Sequence, residues 1–214
     1  MSDLDVNSNE VVIAKIAEIA KAQMFDLRSK LDDRDLEMRD DNKDHHLIYR
    51  VLGVTSAEGE DIDRLQNHGR FLYTHAGRLL EKVTRLCFES RYPDAKSLKI
   101  DNPFGARPKK FEIDCLVGSD AHEIKWRDAT TDGDHIIKEH LRAQAVTDAG
   151  YRPIRVMFFM PNREQAIRIQ STISTLYRGL GGECHYGQEA WDYVLEMTGI
   201  DLFEVLSTVA KKNG

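Results

Sequence analysis

Apolar residues recur at helical spacing over residues 10–31. Ile13, Ile16, Ala17, Ala20, Met24, Leu27 and Leu31 fall on one stripe, which predicts an amphipathic helix. The mixed-charge run LDDRDLEMRDDNKDHH that follows predicts a solvated helix end or loop. A second helix is expected over residues 60–90, with Leu72, Ala76, Leu79, Leu80, Val83 and Cys87 on its buried face. Glu81 lies off that face, in line with Tyr73, Gly77, Thr84 and Phe88. Pro93 disfavours helix at the residue before it and ends the segment.

The period then shortens from 3.6 to 2. SLKID is a short alternating strand. FEIDCLV places Phe111, Ile113, Cys115 and Val117 on one face, and Glu112, Asp114 and Leu116 on the other. GSDA supplies turn residues for a hairpin. HEIKWR sets Ile124 and Trp126 opposite Glu123, Lys125 and Arg127. After the polar loop DATTDGD come a helix over residues 135–149 and the near-continuous apolar strand IRVMFFM, expected where a sheet is covered on both faces. PNREQ opens another helix, with Asn162 as N-cap and Gln165 completing a capping box. GLGGECHYG breaks that helix and holds a last short strand; it lacks the GK[ST] ending of a phosphate loop. Residues 188–211 are helical, divided near TGID. The expected fold class is α/β: a central mixed sheet flanked by helices, with helical additions at both ends. The expected divisions are an acidic helical extension over 1–59, a core over 60–170 and a helical addition over 171–214, all within one domain.

Charge is unevenly placed. The net value is −6, yet residues 64–110 carry 11 basic and 4 acidic side chains, while residues 1–63 carry 8 and 16. A local positive block is what a polyanion feels; a solvated charged face accounts for it equally well. Cys87, Cys115 and Cys184 are widely spaced and form no CxxC pair, which points to a reducing compartment, the cytoplasm. No apolar run approaches the ~20 residues that span a bilayer. The N-terminus MSDLDVNSNE lacks the basic and apolar regions of a signal peptide.

The chemistry concentrates in FEIDCLVGSDAHEIKW. Pairing across the turn brings Asp114, Glu123 and Lys125 together. Two adjacent carboxylates repel, so one resists ionisation unless a hard cation joins them. Mg²⁺, with Mn²⁺ as substitute, suits Asp114, Glu123 and the carbonyl of Ile124. Lys125 is then placed to hold or deprotonate an attacking water and to offset phosphate charge. The bland alternative is a surface ion-pair cluster.

This arrangement resembles the PD-(D/E)xK nuclease superfamily. Asp114 takes the place of its first acidic residue, and Glu123-Ile124-Lys125 the place of its second motif; Ile113 stands where Pro is usual. The order helix, strand, Asp-bearing strand, turn, ExK strand, helix, buried strand matches that core. The resemblance also implies an acidic residue on the preceding helix, for which Glu81 is the candidate; an ordinary solvated helix residue is the equal alternative. EIKWRDATTDGDH and YGQEAWDYVLEMTGIDL resemble ApaLI-like type II restriction endonucleases. That implies a Mg²⁺-dependent homodimer cutting both strands of double-stranded DNA at a short palindrome of six base pairs. The alternatives are a repair or junction-resolving nuclease on the same core, and a DNA-binding protein without catalysis.

Arg107, Lys109 and Lys110 precede the catalytic strand and are candidates for phosphate contact. Arg127, Asp128, Thr130, Thr131, Asp132, Asp134, His135 and Lys138 form a candidate base-reading segment, since Arg suits guanine edges and Asp suits cytosine amino groups. Asp134 or Asp132 serves equally as a helix N-cap. His135 and His140 read as helix-surface residues, and Cys115 as core.

Overall fold

The computed structural model describes residues 3–105, 107–128, 130 and 132–213; side chains are described from Asn9 to Lys212. Thr131 lies outside the described residues. The elements are α1 (Asp3–Arg39), α2 (His46–Val51), α3 (Ser56–Arg91), β1 (Lys96–Asp101), β2 (Lys110–Val117), β3 (Asp120–Arg127), α4 (Asp134–Asp148), β4 (Arg152–Phe159), α5 (Glu164–Gly179), β5 (Glu183–Tyr186), α6 (Gln188–Thr198) and α7 (Leu202–Asn213). The chain forms two compact units. One contains residues up to Ala17 and from Leu80 onward; the other is Glu18–Leu79. Helices α1 and α3 each contribute to both.

The larger unit is built on a five-stranded mixed sheet in the order β1-β2-β3-β4-β5. The β1–β2 and β2–β3 pairs are antiparallel; β3–β4 and β4–β5 are parallel. The expected α/β class, with a mixed sheet, flanking helices and helices at both ends, is the observed one. Ile100, Phe111, Ile113, Leu116 and Ala121 pack with Ala145 and Val146 of α4. Ala143 of α4 joins Ile169, Ile173 and Tyr177 of α5 and Cys184 of β5. β4 is buried over its six central residues, as its apolar run requires.

One strand departs from simple alternation. Leu98 pairs with Ile113 and Lys96 with Leu116, so three steps along β2 match two along β1. Asp114 and Cys115 thus oppose a single β1 position, a β-bulge, which reverses the alternation beyond it. Leu116 accordingly packs with Ile113, correcting the expectation that the two face opposite ways. Gly118 closes the hairpin at φ +56°, a conformation costly for other residues.

Helix ends also differ from expectation. α1 continues to Arg39, through most of the charged run. Gly133, rather than Asp132 or Asp134, is the N-cap of α4; Asp132 Oδ1 accepts from the Asp134 amide at 3.0 Å instead. Arg163 is the N-cap of α5, so Asn162 lies one residue outside the cap position expected for it.

The smaller unit is helical. Its part of α3 is tied to α1 by His68–Asp35 at 2.6 Å and His75–Asp26 at 3.0 Å. Among the described residues no helix is long and apolar enough to cross a membrane.

Candidate active site

Asp114 sits on the β2 bulge, and Glu123 and Lys125 sit on β3. The β2–β3 pairs run from Val117–Asp120 to Cys115–His122 and end there. Beyond that point the Asp114 side chain replaces a backbone acceptor: its Oδ2 takes the Ile124 amide at 2.8 Å. The bulge therefore both aims the carboxylate and ends the ladder that would otherwise occupy that amide.

Glu123 is 5% exposed, and cations stand at both its oxygens. Arg142 of α4 donates to Oε2 at 2.7 Å. The Lys125 ammonium is ion-paired with Oε1. Arg142 also approaches Glu139, at 3.8 Å. Behind them Arg155 of β4, fully buried, donates to Glu139 at 2.6 Å and to Asp128 at 2.7 Å. Asp128 further pairs with His135 at 2.6 Å.

These contacts set the ionisation. Burial pushes the Asp114 carboxyl up to about 8; the negative charges of Glu123 and Glu81 add to this, while Lys125 and the Ile124 amide offset part of it. Burial also opposes charge on Glu123, but Lys125, Arg142 and Arg155 outweigh it and hold that carboxyl below its usual range. Burial works against the Lys125 ammonium too, and Glu123 and Glu139 overcome it, keeping Lys125 protonated above its ordinary range. Arg142 and Arg155 are likewise held more firmly charged by Glu123 and Glu139, against the cost of their own burial.

The donor set fits a hard divalent cation. Two carboxylates converge, Asp114 disfavoured in its charged form by burial and by the Glu123 charge, and Glu123 held ionised by its cations. The structure thus brings Asp114, Glu123, Ile124 and Lys125 together, with Glu81, half-buried on α3, close enough for its charge to act on Asp114.

The candidate DNA-contacting residues are spread more widely. Arg107 and Lys109 are exposed in the β1–β2 connection; Lys110 is exposed at the start of β2, 3.5 Å from Asp101. Arg127 is half-buried at the end of β3; Asp132, Asp134 and Lys138 are exposed. Thr130 is half-buried, its hydroxyl accepting from the Asp132 amide at 3.2 Å. Asp128 and His135 belong to the buried ion-pair network and are not open side chains. Glu139, Arg155 and Gln170 were absent from the sequence reading. Arg155 did carry a signal: a lone cation inside an apolar strand needs buried carboxylates.

A model of the ApaLI-like restriction endonuclease family matches residues 7–211. The chain belongs to that family. No curated protein and no solved structure matches it. Membership in the ApaLI-like family makes the protein a restriction endonuclease, with DNA as substrate and a divalent metal as the general requirement.

Proposed function

We propose that the chain is a type II enzyme that hydrolyses both strands of double-stranded DNA at a short palindromic site, as a homodimer using Mg²⁺. The observation that carries this reading is the convergence of Asp114 with Glu123 and Lys125 around the Ile124 amide, with the two carboxylates close enough for each charge to act on the other. Asp114, Glu123 and the Ile124 carbonyl hold the metal. When bound, the metal polarises the scissile phosphate and offsets charge on the leaving oxygen. Lys125 stays protonated, so it orients the attacking water and offsets phosphate charge as a donor rather than taking the proton. Arg142 fixes one oxygen of Glu123 and leaves the other facing Lys125. Glu81 adds negative charge beside Asp114, raising the site's affinity for a cation. A palindrome is read most simply by two copies related by a two-fold axis.

The test is digestion of a sequenced plasmid with and without Mg²⁺, followed by mapping of the ends. Defined double-strand cuts at one short palindrome, abolished by chelator and restored by Mg²⁺, are expected. Full activity in excess chelator, or cuts at no fixed sequence, would refute the proposal.

A further inference from the structure

The smaller unit carries a second set of ligand atoms. His45 and His46 open α2, and Asp63 lies on α3. Asp63 Oδ2 meets His45 Nε2 at 2.9 Å and His46 Nε2 at 3.0 Å. All three atoms lie within 4.8 Å of one another. Tyr49 donates to the other oxygen, Asp63 Oδ1, at 2.8 Å. His46 is 5% exposed, so this is not a chance meeting of solvated side chains.

Local sequence keeps the set in place. His45 is the N-cap residue of α2 but makes no capping hydrogen bond; its ring turns to Asp63 instead. Gly59 faces Tyr49 and His46: a Cβ there would lie 2.7 Å from the Tyr49 ring, so glycine lets α3 approach these side chains. A cavity of about 330 Å³ borders the cluster and includes Asp35, Glu60 and Asp61 in its wall. Five carboxylates line it against Arg39, Lys43 and Arg64, a balance that favours a cation.

We infer that His45, His46 and Asp63 form a site for Zn²⁺ or a similar borderline transition metal, separate from the catalytic carboxylates. Two imidazoles and a carboxylate are a donor set for such an ion, whereas Mg²⁺ prefers oxygen alone. Tetrahedral Zn²⁺ with bonds of roughly 2.0–2.1 Å needs ligand atoms about 3.4 Å apart. The two short edges therefore open by about half an ångström, within the reach of side-chain rotation. Tyr49 holds the Asp63 carboxylate in orientation, as outer partners of metal ligands do. The fourth position opens on the cavity and is filled by water. The bound ion ties α2 to α3.

The experiment uses the full chain freed of metal by chelation and dialysis, titrated with Co²⁺ and then Zn²⁺. The expected result is one Co²⁺ per chain with the visible absorption of a tetrahedral site, displaced by Zn²⁺, and a rise in thermal midpoint with Zn²⁺. His45→Ala and Asp63→Asn should lose both signals, and Tyr49→Phe should weaken Zn²⁺ binding roughly 10–100-fold. Asp114→Ala should keep both, which separates this site from the catalytic one. His45 is half-exposed, so its removal leaves the fold intact and keeps the test decisive. Absence of the tetrahedral absorption in the wild type, its survival in His45→Ala, or its loss in Asp114→Ala would each overturn the inference.

Discussion

At the scale of single residues, Asp114 and Lys125 should separate chemistry from binding. Asp114→Ala and Lys125→Ala are each expected to lower cleavage at least a hundredfold, about 3 kcal/mol, while specific DNA binding persists. Cleavage within threefold of wild type by either variant would show that other groups do the chemistry. Asp114 also leaves a mark on metal-free stability. Its carboxyl titrates near 3.8 when unfolded and near 8 when folded, so between these values the folded state holds more protons than the unfolded one. Stability therefore falls as pH rises through that window. His122, pushed by burial down to about 4, contributes the opposite slope up to its ordinary value of 6.5. Melting curves of wild type and Asp114→Asn in chelator isolate the Asp114 part: the variant should gain on wild type as pH rises from 4 to 8. A constant difference across that range would show that Asp114 stays ionised. Much of this site was readable in the sequence, because Asp114 and the ExK segment sit on adjacent strands joined by a tight turn. The bulge was not readable, since it depends on how β1 pairs and leaves no mark in the alternation of β2 itself.

At the scale of elements, β3, β4 and α4 are joined by charge as well as by packing. Arg142 and Glu139 on α4 meet Glu123 of β3 and Arg155 of β4, and Arg155 reaches on to Asp128 at the start of the loop. Removing one partner of such a network leaves a buried charge uncompensated, at a cost of roughly 3–5 kcal/mol. Arg155→Met should lower the unfolding free energy read from urea melts by that amount, and Asp128→Asn should lower it less, since Arg155 keeps Glu139 and His135 still reaches the side chain. An unchanged midpoint for Arg155→Met would mean that the network contributes nothing to stability. Strand and helix periods located these elements, but the network was invisible because its members are far apart in sequence. Asp128 shows the consequence: chain order groups it with base-reading candidates, whereas its burial against Arg155 gives it a structural task. The start of α4 misses the expected cap because Asp132, Gly133 and Asp134 compete for that role within three residues.

At the scale of the whole molecule, a chain of net charge −6 must still approach DNA. The basic block over residues 64–110 was legible from composition, and it includes the exposed Arg107 and Lys109 just before the Asp114 strand and Lys110 at its start. The division into two units was not legible, because α1 and α3 each run unbroken from one to the other and no linker marks the change. If these basic residues position the duplex, binding should weaken with salt by a slope of about −0.9 in log affinity per phosphate neutralised. Lys109→Ala and Lys110→Ala should each weaken binding to cognate and scrambled duplexes alike and flatten that slope by about one contact. Arg127→Ala, Asp132→Ala and Asp134→Ala should instead reduce the cognate-to-scrambled ratio, because base edges specify and phosphates position. These three differ from Asp128 in lying at or near the surface, so their loss should leave the unfolding free energy within about 0.5 kcal/mol of wild type. Affinities for both duplexes at several salt concentrations read the two effects independently. An unchanged ratio in all three variants would make the segment after β3 a helix entrance only, and would move sequence recognition to the region after Gly179.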